Sequence, residues 1–244
     1  FSFVARQMRI STETSHFFID LVFYNYLLKC FVIIDLKTGK MVGVEALARW
    51  PDEHGFIQPP DVFIPLAEYS GLIVQIGAWV LDQACAQQAQ LSAAGFGPLK
   101  MAVNVSMPQF RKTDFVQEVA RALARHQVPP ALLELEITES VAMDEPKVVV
   151  QGLDALKRLG VQIAIDDFGT GYSSLGQLQS LPIDGLKIDR SFIKEIEGGK
   201  GGLFAETIVG LSEKLSLLSI AEGVETVEQA SFLRGLGCKV AQGF

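Results

Sequence analysis

The sequence predicts a closed α/β barrel built mainly from parallel strands. Three observations carry this. Short apolar runs recur along the chain and each closes on a polar residue: VGVEAL on Glu45, MAVNVS on Asn104, LELEIT on Glu136, QIAIDDFGTG on Asp166 and Asp167, IDGLKID on Lys187, SIAEGVE on Glu222 and KVAQGF on Gln242. Helical patterns separate these runs from Lys100 onward, which demands crossover connections and a parallel sheet. Within the runs, side chains alternate in character. Val103 and Val105 oppose Asn104, Leu135 and Ile137 oppose Glu136, Ile163 and Ile165 oppose Asp166, and Leu186 and Ile188 oppose Lys187. An open sheet covered by helices would be apolar on both faces. Here one face is polar, as expected where strand ends gather on the rim of a barrel.

The elements follow in order. Residues 1–29 mix aromatics with Ser and Thr and read as an atypical leading segment, a helix plus a connector, with the barrel domain running over 30–244. FVIIDL and MVGVEALARW flank the turn Lys37-Thr38-Gly39-Lys40, a hairpin signal. The turn-rich PDEHGFIQPPD precedes helical patterns over Val62–Tyr69 and Val74–Ala94. Further helices are expected over Gln109–His126, Pro146–Leu159, Leu175–Ser180, Leu203–Leu215 and Val227–Leu236. The tract Gly198-Gly199-Lys200-Gly201-Gly202 reads as a flexible surface loop.

At 244 residues the chain fits one barrel domain. A formal net charge of -7 argues against a DNA or RNA scaffold, which would show a basic face. Cys30, Cys85 and Cys238 form no CxxC pair, so neither a disulfide framework nor a zinc knuckle is indicated, and a reducing cytoplasm fits. His16, His54 and His126 lack ligand spacing, which disfavours zinc and Ser/His catalysis and leaves oxygen ligands for Mg²⁺ or Mn²⁺. The apolar stretch His16–Ile34 is broken by Asp20, Asn25 and Lys29 and reads as buried protein, without membrane contact.

Each polar residue also has a plainer explanation. Glu45 can pair with Arg49, Asn104 can serve a turn before Pro108, and Thr138-Glu139 can cap the next helix. Lys187 can pair with Asp189, while Glu222 and Glu225 can cap the helix after Thr226. Asp166-Asp167 before Phe168-Gly169-Thr170-Gly171 is the strongest local signal. Neighbouring aspartates diverge on a regular strand, so both face one ligand only where the strand is ending. Taken together, Glu45, Glu136, Asp166, Asp167 and Glu222 bring five negative charges to one rim. Two like charges about 4 Å apart repel by roughly 4 kcal/mol at an effective dielectric near 20. Such a cup holds protons or cations, and two divalent ions plus Lys187 balance it. Arg49 is then the natural phosphate contact.

These residues together resemble the EAL-domain family of cyclic di-GMP phosphodiesterases. The motif is Glu45-Ala46-Leu47, and FIPLAE, NVS, ELEITES, DDFGTGYSSL, LKIDRSFI, AEGVET and AQGF follow in family order. The resemblance implies a modified TIM (β/α)8 barrel, usually dimeric, that hydrolyses cyclic di-GMP to linear pGpG with two divalent cations, Mg²⁺ or Mn²⁺. It implies Glu45, Asn104, Glu136, Asp166, Asp167 and Glu222 as metal ligands, Asp166 bridging the ions. Lys187 would contact the attacking water, with Glu45 and Glu222 also serving catalysis, and Leu47, Arg49 and Gln242 would meet substrate. Glu139 would anchor the loop Phe168–Leu175, and Glu225 would stand behind the ligands. The chain departs from the family at Cys30-Phe31-Val32, where Tyr-Gln-Pro is usual, and it stops at Phe244, where the family continues through a closing C-terminal helix. Such segments commonly belong to larger signalling proteins. Two other readings compete: a cyclic di-GMP receptor that no longer cleaves, and a barrel aldolase using Lys187 as a Schiff-base amine.

Overall fold

The computed structural model describes residues 8–11, 16–19, 29–51, 54, 56–143, 146–171, 175–196 and 200–243. Its first described elements correct the expected leading helix. β1 (Met8–Ser11) and β2 (His16–Ile19) pair antiparallel as a separate two-stranded sheet. The two runs are four residues each, too short for a stable helix but sufficient for a ladder. The remainder of the expected helix and connector lies outside the described residues.

β3 (Lys29–Asp35) and β4 (Met41–Leu47) form the expected hairpin around Lys37–Lys40. In the turn-rich stretch that follows, β5 (Trp50–Pro51) pairs with β6 (Ile57–Gln58). Helix α1 (Pro60–Ser70) starts on a proline, whose missing N–H costs nothing there, and stops at Gly71 in the left-handed region, φ 75°. After α2 (Ile73–Ala93) and β7 (Lys100–Asn104), the helix expected over Gln109–His126 is two helices, α3 (Met107–Phe110) and α4 (Phe115–His126). The cause is local. Ser106 and Gln109 form a reciprocal capping box, so Gln109 belongs to a start signal, and Lys112 bridges the break to Asp114 and Glu118 at 3.4 and 3.3 Å.

From there strands and helices alternate as expected: β8 (Leu133–Thr138), α5 (Glu139–Met143), α6 (Pro146–Leu159), β9 (Gln162–Phe168), α7 (Leu175–Ser180), β10 (Gly185–Ile188) and α8 (Arg190–Lys194). Next come α9 (Lys200–Lys214), β11 (Leu218–Val224), α10 (Val227–Gly235) and β12 (Val240–Gly243). α9 begins inside the glycine tract read as a loop. Glycine is tolerated in a first turn, where the N–H groups lack helical partners anyway. At Gly202 a side chain would come within 3.2 Å of the Phe232 ring, so the position is packed.

The strands close in the order β3-β4-β7-β8-β9-β10-β11-β12, with β12 returning to β3. β3 runs antiparallel to both neighbours, and the other seven strands are parallel. Met101, Val103, Leu135, Ile137, Ile163, Ile165, Leu186 and Ile188 are buried in the layer between barrel and helices. Inside the barrel, Ile33, Ala102, Ile220 and Val240 form a small separate apolar cluster. This floor lies one inward-facing position beyond Gln242, Asn104 and Glu222, so polar groups sit above an apolar plug. Among the described residues, no helix is long and apolar enough to cross a membrane.

Candidate active site

The rim residues come from seven strands and meet at one end of the barrel. Asn104 on β7 stands opposite Glu136 on β8, and Glu222 on β11 stands opposite Gln242 on β12. Glu45 on β4 accepts hydrogen bonds on both oxygens, from Asn104 Nδ2 at 2.7 Å and Gln242 Nε2 at 2.5 Å. Its expected plainer partner is elsewhere: Arg49 donates to the Ala48 carbonyl at 2.9 Å.

Lys187 occupies the centre and is fully buried. Its Nζ lies 2.6 Å from Glu222 Oε1, 2.8 Å from Glu136 Oε1, 3.3 Å from Asp166 Oδ1 and 3.9 Å from Glu45 Oε2. Burial opposes its charge, but the surrounding carboxylates, Glu136 foremost, overcome this and hold the ammonium's pKa well above the usual lysine value. An amine ringed by carboxylates and held charged is a poor Schiff-base nucleophile, which weighs against the aldolase reading. It also settles the plain Lys187–Asp189 pairing against the four carboxylates just named.

Backbone irregularity brings Asp166 and Asp167 together. Between the pairs Leu186↔Ile165 and Ile188↔Phe168, β9 carries one residue more than β10, a bulge at the two aspartates. Asp167 adopts φ 53°, uncommon outside glycine, and its N–H closes on Asp166 Oδ1 at 2.9 Å. Ligand oxygens of Asp166, Asp167 and Glu222 consequently fall within 4.8 Å of one another.

The flanking polar groups divide their work. Thr138 Oγ1 accepts from Val141 N and so starts α5, while Glu139 Oε2 accepts from Gly169 N at 2.9 Å and Gly171 N at 3.3 Å. A side chain at Gly171 would come within 2.7 Å of Glu139 Oε1, so this anchor needs a glycine. α10 is capped by Thr226 and Gln229, not by Glu222 or Glu225, and Glu225 instead lines the cavity before the rim. Sequence reasoning treated Asp189 only as a partner for Lys187. The structure hydrogen-bonds it to Asp167 and to Ser191, whose N–H it accepts at 3.0 Å. The available signal was its position at the end of GLKID, next to a helix start.

The rim opens on a cavity of 640 Å³ bordered by Glu45, Asp166, Asp167, Glu222 and Gln242. A 460 Å³ groove with mostly apolar walls adjoins it, sharing Leu47, Pro60 and Asp167 and adding Arg49 and Asn104.

Burial pushes the Asp167 carboxyl up to about 6 and the Glu222 carboxyl to about 7, with neighbouring carboxylates adding to both. Glu136 is raised well above the usual glutamate value for the same reasons, against the opposing pull of Lys187. The chemistry of the donors fits hard divalent cations: all are oxygens, both buried Glu136 oxygens lack a directional hydrogen bond, and so does Gln242 Oε1. The close Lys187–Glu136 contact is therefore ionic rather than a well-aligned hydrogen bond.

A stability prediction follows from the raised values. Between about pH 4, where unfolded carboxyls titrate, and about pH 6–7, the folded chain binds more protons than the unfolded one. Stability is therefore full below the unfolded values and is lost as pH rises through the folded ones. Without divalent ions, the melting temperature is expected to drop by roughly 5 °C between pH 5 and pH 8, and Mg²⁺ or Mn²⁺ should restore most of it. Differential scanning calorimetry checks this; an ion-free melting temperature that climbs over that range contradicts it.

A closed barrel that gathers oxygen donors around a buried lysine defines a barrel domain equipped to hold divalent cations beside an open cavity. The chain belongs to the EAL domain family, whose profile matches residues 32–244. It is 49% identical over 209 residues to the bifunctional diguanylate cyclase/cyclic di-GMP phosphodiesterase MucR of Pseudomonas aeruginosa, covering 85% of this chain and 30% of MucR. It is 41% identical over 213 residues to the cyclic di-GMP phosphodiesterase NbdA of the same organism, covering 87% of this chain and 27% of NbdA. The chain thus spans less than a third of these relatives. The solved PaMucR phosphodiesterase in complex with c-di-GMP superposes with a TM-score of 0.85 at 46% identity, covering 89% of each chain. Residues 1–46 also match the profile of the YhcG PDDEXK nuclease domain, overlapping the first match over 32–46. The atypical Cys30-Phe31-Val32 falls within that second match.

Proposed function

We propose that this domain hydrolyses cyclic di-GMP to linear pGpG, using two divalent cations, Mg²⁺ or Mn²⁺. The observation that carries the reading is the ring of oxygen donors around Lys187, with Glu136 buried and free of directional hydrogen bonds. The kinship with MucR and NbdA, named as cyclic di-GMP phosphodiesterases, supports the substrate.

Glu45, Asn104, Glu136, Asp166, Asp167 and Glu222 would hold the ions. When bound, the ions supply Lewis-acid chemistry, acidifying water and offsetting charge on the phosphate oxygens. The chain's own residues set the geometry. Asn104 and Gln242 fix Glu45, and the Asp167 N–H fixes Asp166. The Lys187 ammonium donates to the attacking water and orients it, and Glu222 Oε1, beside Lys187 Nζ, receives the proton. Water adds to phosphorus, the P–O3′ bond breaks, and the 3′-oxygen leaves and takes a proton from solvent while Glu222 returns its proton to solvent, giving a 5′-phosphate and a 3′-hydroxyl. Leu47, Arg49 and Gln242 border the space for the substrate, while Glu139 holds the loop after Asp167 and Glu225 stands behind the ligands.

The domain extends over residues 30–244, with residues 1–29 as a leading segment, and works as a homodimer in the cytoplasm. Leu203 and Phe204 are exposed on α9, and Phe204 stacks on Phe192 at 5.0 Å, offering an apolar surface for a second copy. Buried free Cys85 and Cys238 support a reducing compartment.

The altered first barrel strand favours one second reading, a receptor that binds cyclic di-GMP without cleaving it. One experiment separates the two. Purified protein is incubated with cyclic di-GMP and Mg²⁺ or Mn²⁺ and chromatographed for pGpG, with EDTA and Ca²⁺ controls and light scattering to give the oligomeric state. EDTA-sensitive pGpG is the expected result. Binding without product establishes the receptor, and a monomer at working concentration removes the dimer.

A further inference from the structure

Carboxylates dominate the cavity before the rim, yet two cations share its lining: Arg190 and Lys194, one helical turn apart on α8. Both are exposed. Some other exposed or half-buried cations are paired, Arg125 to Asp82 at 2.8 Å, Lys157 to Asp184 at 2.6 Å and Lys112 to Glu118 at 3.3 Å. Arg190 helps keep the adjacent Asp189 ionised, but neither its guanidinium nor the Lys194 ammonium makes a hydrogen bond or ion pair with a described residue. They stand in the same cavity lining as Asp166, Asp167, Glu222 and Glu225, where both are available to an anion that enters.

The backbone is also adapted to Arg190. Gly223, next to Glu222, has φ +67° at the bulge in β11, and a side chain there would come within 2.7 Å of Arg190 Cβ. A bare backbone at 223 is what lets the arginine stem lie against the strand that carries Glu222.

We propose that Arg190 and Lys194 form an anion subsite at the lip of the cavity, taking the phosphate of the cyclic dinucleotide that is not being hydrolysed. This rests on the phosphodiesterase reading above. The phosphate under attack has to reach the buried carboxylates and Lys187. Exposed cations on the rim meet a phosphate farther out, and a cyclic dinucleotide carries a second one. Arg190 offers a planar fork for two phosphate oxygens and Lys194 a mobile point charge. Together they also lower the barrier that an acidic rim presents to an anion.

The test is equilibrium binding by titration calorimetry in Ca²⁺, with wild type, Arg190→Gln, Lys194→Gln, the double variant and Lys194→Arg. The probes are cyclic di-GMP and 3′,5′-cyclic GMP, which has one phosphate. The double variant should raise Kd for cyclic di-GMP about tenfold and flatten its salt dependence, leave Kd for cyclic GMP unchanged, and melt at the wild-type temperature. Lys194→Arg should retain wild-type binding. An unchanged Kd for cyclic di-GMP in the double variant overturns the subsite and spares the phosphodiesterase reading, as does a parallel loss for both probes. If wild type neither binds nor cleaves cyclic di-GMP, both fall.

Discussion

Asp166→Asn is expected to lower kcat/KM for cyclic di-GMP by about a thousandfold, equivalent to about 4 kcal/mol of transition-state stabilisation, while leaving the fold intact. Asp166 joins several functions of the rim. One oxygen contacts Lys187 at 3.3 Å and accepts the Asp167 N–H at 2.9 Å, and its ligand oxygens cluster with those of Asp167 and Glu222. Asparagine keeps the shape but removes a negative charge that a divalent ion needs. The same loss relieves repulsion among carboxylates, so the ion-free variant should melt no lower than wild type. Manganese binding by calorimetry should weaken together with turnover. Hydrolysis within tenfold of wild type, or manganese affinity unchanged, would refute the role given to this residue.

Lys187→Met should be the most damaging single change to stability, costing about 3–5 kcal/mol near pH 8 and abolishing turnover. The ammonium is fully buried and is in contact with Glu45, Glu136, Asp166 and Glu222. Methionine fills most of the volume, so the loss is electrostatic: negative charges stay buried without their internal cation. The cost should shrink at pH 5, because Glu222 and Asp167, with values of about 7 and about 6, are then protonated. Divalent ions should recover part of the stability but none of the activity, since ions replace the charge and not the hydrogen bond to water. Melting curves at pH 5 and pH 8, with and without Mn²⁺, read all of this. A variant as stable as wild type at pH 8 without ions would show that Lys187 does not neutralise the rim.

Much of the architecture was legible because its signals are local. α6 and α7 have the expected bounds, and the β3–β4 hairpin sits on the expected turn. The misses have equally local causes. A reciprocal cap at Ser106 and Gln109 broke one expected helix into two, and the first turn of α9 accepted Gly201 and Gly202. Strands β1 and β2 carry too few residues for periodicity to separate strand from helix. At the site, Asp166 and Asp167 were readable as a strand-end pair because adjacent side chains diverge unless the backbone bends. Asp189, Arg190 and Lys194 were not readable as lining, because nothing in LKIDRSFIK tells which way a short helix after β10 turns its side chains.

The amino-acid order alone determined which residues end strands and which face of each strand is polar, since alternation and turn chemistry depend only on near neighbours. It also determined the surplus of acid at those ends. The tertiary structure alone decided the pairing of β12 with an antiparallel β3, the bulges in β9 and β11, and the choice of Lys187 as the common partner of Glu45, Glu136, Asp166 and Glu222. Those contacts join residues far apart in the chain. Their energies depend on closure of the barrel, which removes water and sets distances of 2.6–3.9 Å that no local pattern encodes.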